Sequence, residues 1–102
     1  MRALVLGGYG LIGSEIVRRL GDDGVEVIGF GRSAAKGERL IPGIAWRGGD
    51  LAALRVAADW APFLVGIDAV VNASGALQDG AMDNLAAAQD ISIRALIAAC
   101  EQ

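Results

Sequence analysis

Three glycines spaced three apart, Gly7, Gly10 and Gly13, with Gly8 beside the first, stand between an apolar run of strand length and a segment of helical period. The run is Ala3-Leu4-Val5-Leu6, which has no polar alternation and so fits a strand covered by helices on both faces. In the following segment Ile12, Ile16, Val17 and Leu20 fall on one helical stripe, and Gly21-Asp22-Asp23-Gly24 supplies its stop. Reversing the chain from strand to helix in so few residues needs a position free of any Cβ penalty, which Gly7 provides. Gly10 lets a large anion approach the backbone, and Gly13 lets the helix pack tightly against the sheet. The first amides of such a helix have no partner within it. Together with the helix dipole they favour an anion by roughly 0.3–1 kcal/mol each at exposed sites. A dinucleotide diphosphate is the natural occupant, which assigns Gly7, Gly8, Tyr9, Gly10, Leu11, Ile12 and Gly13 to the phosphate turn. The plainer alternative is a tight turn with no ligand; the strand, helix and second strand following in order favour the nucleotide.

The rest of the chain repeats the alternation. Val25-Glu26-Val27-Ile28-Gly29-Phe30, Ile44-Ala45-Trp46-Arg47 and Ala69-Val70-Val71-Asn72 read as further strands. Ser33 to Leu40, short and charged with Gly37 inside it, is a ragged turn or one weak helical piece. Leu51 to Val65 reads helical in two pieces because Pro62 lacks an amide proton, with Asp59 as a cap for the second. Asp83 to Gln102 should be the longest helix, carrying Leu85, Gln89, Ser92, Ile93, Leu96, Ile97 and Cys100 around one face. The expected fold is α/β, a three-layer Rossmann-like parallel sheet of strand order 3-2-1-4 ending on the helix after the fourth strand. With 102 residues, 54% of them hydrophobic, one domain spanning 1–102 is expected.

The glycine spacing, followed by Asn72-Ala73-Ser74-Gly75 at the end of the fourth strand, resembles the short-chain dehydrogenase/reductase superfamily in its extended or atypical branch. The resemblance implies that Asn72, Ala73, Ser74 and Gly75 stabilise the central sheet and line the cofactor channel beside the nicotinamide ribose. It also implies that Asp50 hydrogen-bonds the adenine amino group and that Leu51 packs on the ring. Asp50 is independently a good N-cap for the segment after it.

A site that prefers NAD places Asp or Glu at the end of the second strand, roughly 20 residues past the glycine turn, to accept from the ribose 2′-hydroxyl. Here Gly31-Arg32-Ser33 stands there instead. A guanidinium can pair with a 2′-phosphate in bidentate fashion and stack on adenine. Arg32 and Ser33 therefore point to NADP, with NAD as the other candidate, and Lys36 could add a second positive charge.

Composition removes other chemistries. No histidine is present and Cys100 is the only cysteine, so zinc sites, Ser-His-Asp triads and Cys-His pairs are excluded. Cys100 reads as a small packed hydrophobe, and Trp46, Trp60 and Phe63 as core or helix-packing residues. A net charge of -3 without a basic face argues against nucleic acid. No apolar run reaches the length of a membrane span, so a cytoplasmic protein is expected. The resembled family uses a Tyr-x-x-x-Lys pair in hydride transfer; the only tyrosine here is Tyr9 and the only lysine Lys36, in different loops. No catalytic residue is therefore assigned. The chain is expected to be the cofactor-binding portion of an NADP-dependent oxidoreductase or epimerase. A non-catalytic nucleotide-binding module and a ligand-free structural mini-domain are the alternatives. The unpaired edge of Ala69-Val70-Val71, or the helices flanking it, would suit a two-fold dimer.

Overall fold

The computed structural model describes residues 1–73 and 83–101, with the backbone alone for residues 52 and 83–90. Strands and helices alternate: β1 (Arg2–Leu6), α1 (Leu11–Asp22), β2 (Glu26–Gly31), α2 (Ala34–Leu40), β3 (Ala45–Gly48), a 3-10 turn (Leu51–Ala53), α3 (Ala57–Leu64), β4 (Ala69–Asn72) and α4 (Asp83–Cys100). All strand pairs are parallel and the order is β3-β2-β1-β4, so the Rossmann-like α/β arrangement holds. The chain forms two compact units, one of Met1–Gly49 with Gly66–Ser74, the other of Asp50–Val65 with the described part of Gly75–Gln102.

The sheet unit owes its register to alternation. Val5 lies opposite Gly29 and Val71, and Gly29 opposite Trp46, so these positions share one face. On that face Val5, Val17 of α1 and Val27 are buried together, with Ile16, Leu20, Val25, Ile41 and Ile44 packed around them. Leu4, Leu6, Ile28 and Phe30 point the other way and are buried too. β1 is thus covered on both faces, whereas Ala69, Val70 and Val71 of β4 are only half-buried. As an edge strand in this unit, β4 has a single strand neighbour. α1 runs through Gly21 and Asp22 before Gly24, at φ +85°, turns the chain. α2 is a regular helix capped by the Ser33 hydroxyl, which accepts from the Lys36 amide at 3.1 Å. Trp46 lies across Gly29 and Gly37, where a Cβ would come within 2.2 and 2.4 Å of the indole, and its Nε1–H donates to the Ile41 carbonyl at 3.1 Å. The glycine that made α2 look ragged is the one the indole needs.

In the second unit Trp60 is fully buried, and its Nε1–H donates to the Ser92 carbonyl at 2.9 Å. Two expectations need correcting there. The break between helical pieces falls at residues 54–56, and Pro62 sits inside α3. The bond it forfeits is to the carbonyl of Ala58, an exposed residue, so water can replace it. Asp59 caps the second piece as expected, but from the first turn of α3: its carboxylate accepts from the Arg55 and Val56 amides at 3.1 and 3.2 Å. Cys100 is exposed and not packed, because the buried stripe of Ser92, Ala95 and Leu96 ends a turn earlier.

Candidate functional site

The glycine turn leaves the carboxyl end of β1 pinned to β2: the Gly7 and Gly8 amides donate to the Phe30 carbonyl at 2.9 and 3.2 Å. Gly7 has φ +74°, a conformation costly for any residue with a Cβ. The Gly10 amide closes the turn onto the Gly7 carbonyl at 2.9 Å. A Cβ on Gly13 would lie 1.9 Å from that same carbonyl oxygen. The close approach at Gly13 is therefore to the turn itself, not to the sheet as the spacing suggested. It lets α1 begin directly above the strand end.

What the turn presents is backbone. The first intrahelical bond of α1 runs from the Ser14 amide to the Gly10 carbonyl at 2.9 Å, and no side chain caps this end. Helix geometry then leaves the Leu11, Ile12 and Gly13 amides without intrahelical acceptors. No acidic residue occupies this first turn. Leu11 is 80% exposed and Ile12 45% exposed, which leaves an apolar rim beside the uncapped amides. Uncapped N–H groups, a positive dipole end and no competing carboxylate fit the diphosphate of a dinucleotide, and Gly10, open except for the Gly7 carbonyl 3.3 Å from where its Cβ would be, leaves the approach clear.

The sheet order places this turn where ligands collect in open α/β folds. β2 and β3 lie on one side of β1 and β4 on the other, so the order reverses between β1 and β4. Asn72 ends β4 beside the turn, and the Ala73 amide donates to the Leu6 carbonyl at 3.0 Å. Ser74 and Gly75 lie outside the described residues. Arg32 and Ser33 follow the end of β2, at the same carboxyl end of the sheet. Arg32 is exposed and makes no ion pair among the described residues. Asp50 and Leu51 open the other unit at its 3-10 turn, where the Asp50 carbonyl accepts from the Ala53 amide at 2.9 Å. Among the described residues no cluster of three or more His, Cys, Asp or Glu could hold a metal ion, and no helix is long and apolar enough to cross a membrane.

One meeting was invisible in the sequence. Tyr9 and Lys36, assigned to separate loops, come together: the lysine Nζ stands 5.3 Å from the centroid of the tyrosine ring. The contact is with the ring face. The Tyr9 hydroxyl instead accepts from the Ser33 amide at 3.2 Å. This ties the phosphate turn to the end of β2, and Gly31, which stands in the sequence where an NAD-preferring site carries an acid, lies beneath the ring.

Comparison with known proteins agrees with this geometry. Residues 3–99 match the family described as NAD dependent epimerase/dehydratase. No curated protein matches the chain. Among solved structures, UDP-N-acetylglucosamine 4-epimerase from Bacillus cereus is 24% identical with a TM-score of 0.75, over 98% of this chain and 33% of that one. The oxidoreductase ylbE from Lactococcus lactis is 20% identical with a TM-score of 0.76, over 99% and 43%. The Bordetella bronchiseptica enzyme WbmG, solved in complex with NAD, is 25% identical with a TM-score of 0.65, over 90% and 30%. The chain thus spans less than half the length of each of these structures.

Proposed function

Since this chain belongs to the NAD dependent epimerase/dehydratase family, we propose that it is the nicotinamide-dinucleotide-binding part of an oxidoreductase or epimerase and that it favours NADP over NAD. The observation that carries the reading is the uncapped amino end of α1, set behind Gly7 and Gly10 at the point where the strand order reverses. Several main-chain N–H groups converge there with no side-chain charge in competition. The bound cofactor would supply hydride transfer. The residues of this chain orient it: the Leu11, Ile12 and Gly13 amides hold the diphosphate, and Asn72 and Ala73 flank the turn on the side of β4. Asp50 and Leu51 are the proposed adenine contacts, and Ser74 and Gly75 are proposed as further cofactor contacts.

The preference for NADP rests on the end of β2. No carboxylate stands at Gly31 to accept from a ribose 2′-hydroxyl, and the exposed Arg32 follows it with Ser33 beside it. A hydrogen bond to a charged partner contributes about 1.5–3 kcal/mol, or roughly 10- to 150-fold in affinity. Calorimetric titration with NADP, NAD and 2′,5′-ADP tests both parts. NADP and 2′,5′-ADP should bind, NADP at least about tenfold tighter than NAD, and Arg32→Glu should reverse the order. If the wild-type chain binds none of the three, the nucleotide reading fails. If NAD and NADP bind equally before and after the substitution, Arg32 has no part in selection. The outer edge of β4 pairs with no strand among the described residues, so a two-fold contact through that edge is the proposed assembly; sedimentation showing only monomer at high concentration would remove it.

A further inference from the structure

The ring of Tyr9 stands where an NAD-selecting side chain would have to be. Gly31 is the last residue of β2, the position at which dinucleotide sites carry the acid that reads the 2′-hydroxyl. A Cβ built on Gly31 would lie 2.3 Å from Tyr9 Cε2, 2.8 Å from Cζ and 3.0 Å from the hydroxyl oxygen. Even alanine would overlap the ring, so an aspartate cannot enter without displacing it. The ring is also held. Its hydroxyl accepts from the Ser33 amide at 3.2 Å, Lys36 Nζ lies 5.3 Å from its centroid, and the Trp46 ring packs at 5.6 Å with a 45° tilt. Trp46 in turn is wedged over Gly29 and Gly37, so the tyrosine cannot slide that way.

We infer that Tyr9, locked over Gly31, is a specificity-determining residue that excludes the acidic reader of a 2′-hydroxyl and offers a donor to a 2′-phosphate in its place. This rests on the dinucleotide reading above. The hydroxyl oxygen spends a lone pair on the Ser33 amide and keeps its own proton to donate. A phosphate monoester, a multiple acceptor, takes that proton together with the charge of Arg32 and Lys36. A ribose hydroxyl would find no acceptor carboxylate at this position. Tyr9 and Gly31 are therefore one device, and neither can be changed usefully alone.

The test is a double-mutant cycle on the full chain, with thermal melts and calorimetric titration of NADP, NAD and 2′,5′-ADP. Gly31→Asp alone should lower Tm and weaken every ligand, because the new side chain collides with the ring. Tyr9→Ser with Gly31→Asp should restore Tm toward wild type and lower the NADP-to-NAD affinity ratio by about tenfold or more. Tyr9→Phe should weaken NADP and 2′,5′-ADP by about tenfold and leave NAD within about twofold. The inference is overturned if Gly31→Asp alone melts like wild type, or if the double variant keeps the wild-type ratio. It also falls if Tyr9→Phe weakens NADP and NAD alike. Failure of the underlying reading looks different: the wild-type chain then binds no nucleotide, while the melting cycle still reports the contact between the two positions.

Discussion

Alanine at two glycines of α1 should change stability in opposite directions. At Gly13 the new methyl would sit 1.9 Å from the Gly7 carbonyl oxygen and 2.7 Å from its carbon, against the 3.0 Å below which real Cβ atoms essentially never approach a neighbour. No rotamer can relieve this, because the obstacle is backbone. That carbonyl is fixed by the Gly10 amide at 2.9 Å, and the Gly7 amide is anchored on Phe30 at 2.9 Å. Overpacking costs about 1–3 kcal/mol, and a rigid obstacle puts this site at the upper end. Alanine returns about 1 kcal/mol of helix propensity. The net loss is about 2 kcal/mol, a fall in Tm of roughly 10 °C for a domain of this size. At Gly21, in the last turn of the same helix, a Cβ would meet nothing within 4 Å. There the propensity term stands alone and should raise stability by about 0.5–1 kcal/mol. Chemical denaturation and thermal melts of the two variants, read side by side, decide the matter. A Gly13→Ala variant as stable as wild type, with Gly21→Ala behaving as stated, would show that the turn does not press on α1 as described. Gly13→Ala should also weaken NADP binding, since α1 must shift away from the turn that presents its amides.

The second unit supplies its own tests. Trp60→Phe keeps most of the buried ring but removes the donor to the Ser92 carbonyl at 2.9 Å, and should cost about 1–3 kcal/mol in urea denaturation; no change would mean that the carbonyl is satisfied without it. Ser92 is buried and its hydroxyl has no hydrogen-bond partner among the described residues, so Ser92→Ala should be neutral or stabilising by up to about 1 kcal/mol, and a clear loss would contradict that. Asp59→Ala abandons two amides at the start of α3 and should cost about 1 kcal/mol, measurable as a lower urea midpoint with unchanged slope. The Arg2–Glu26 pair at 2.8 Å joins two partly exposed side chains, so Glu26→Gln should change stability by no more than about 0.5 kcal/mol, and by less still at high salt.

Local chemistry explains what could be read without coordinates. The strands declared themselves as short apolar runs between glycines, and alternation with helical segments implied parallel pairing. Gly7 and Gly13 were legible because a strand-to-helix reversal has few solutions. Each missed feature depends on residues far apart in sequence. Gly37 looked like a helix breaker, but it is buried beneath Trp46, which arrives from β3. Tyr9 and Lys36 share no sequence window, and only the side-by-side pairing of β1 and β2 lets them meet. Gly31 read as an absent acid; that a tyrosine fills its place requires knowing where the phosphate turn folds back. Cys100 was misread as packed because the rotation and the end of a buried stripe are set by packing partners from elsewhere in the chain.

The central claim is that main-chain amides at the start of α1 bind the diphosphate. Titrating the ¹⁵N-labelled chain with NADP and following each amide resonance tests it most directly. The account predicts saturable shifts that are largest at Gly8 through Ser14, with a second group at Arg32 and Ser33. Saturable binding that leaves Leu11, Ile12 and Gly13 unmoved while other amides shift would contradict it.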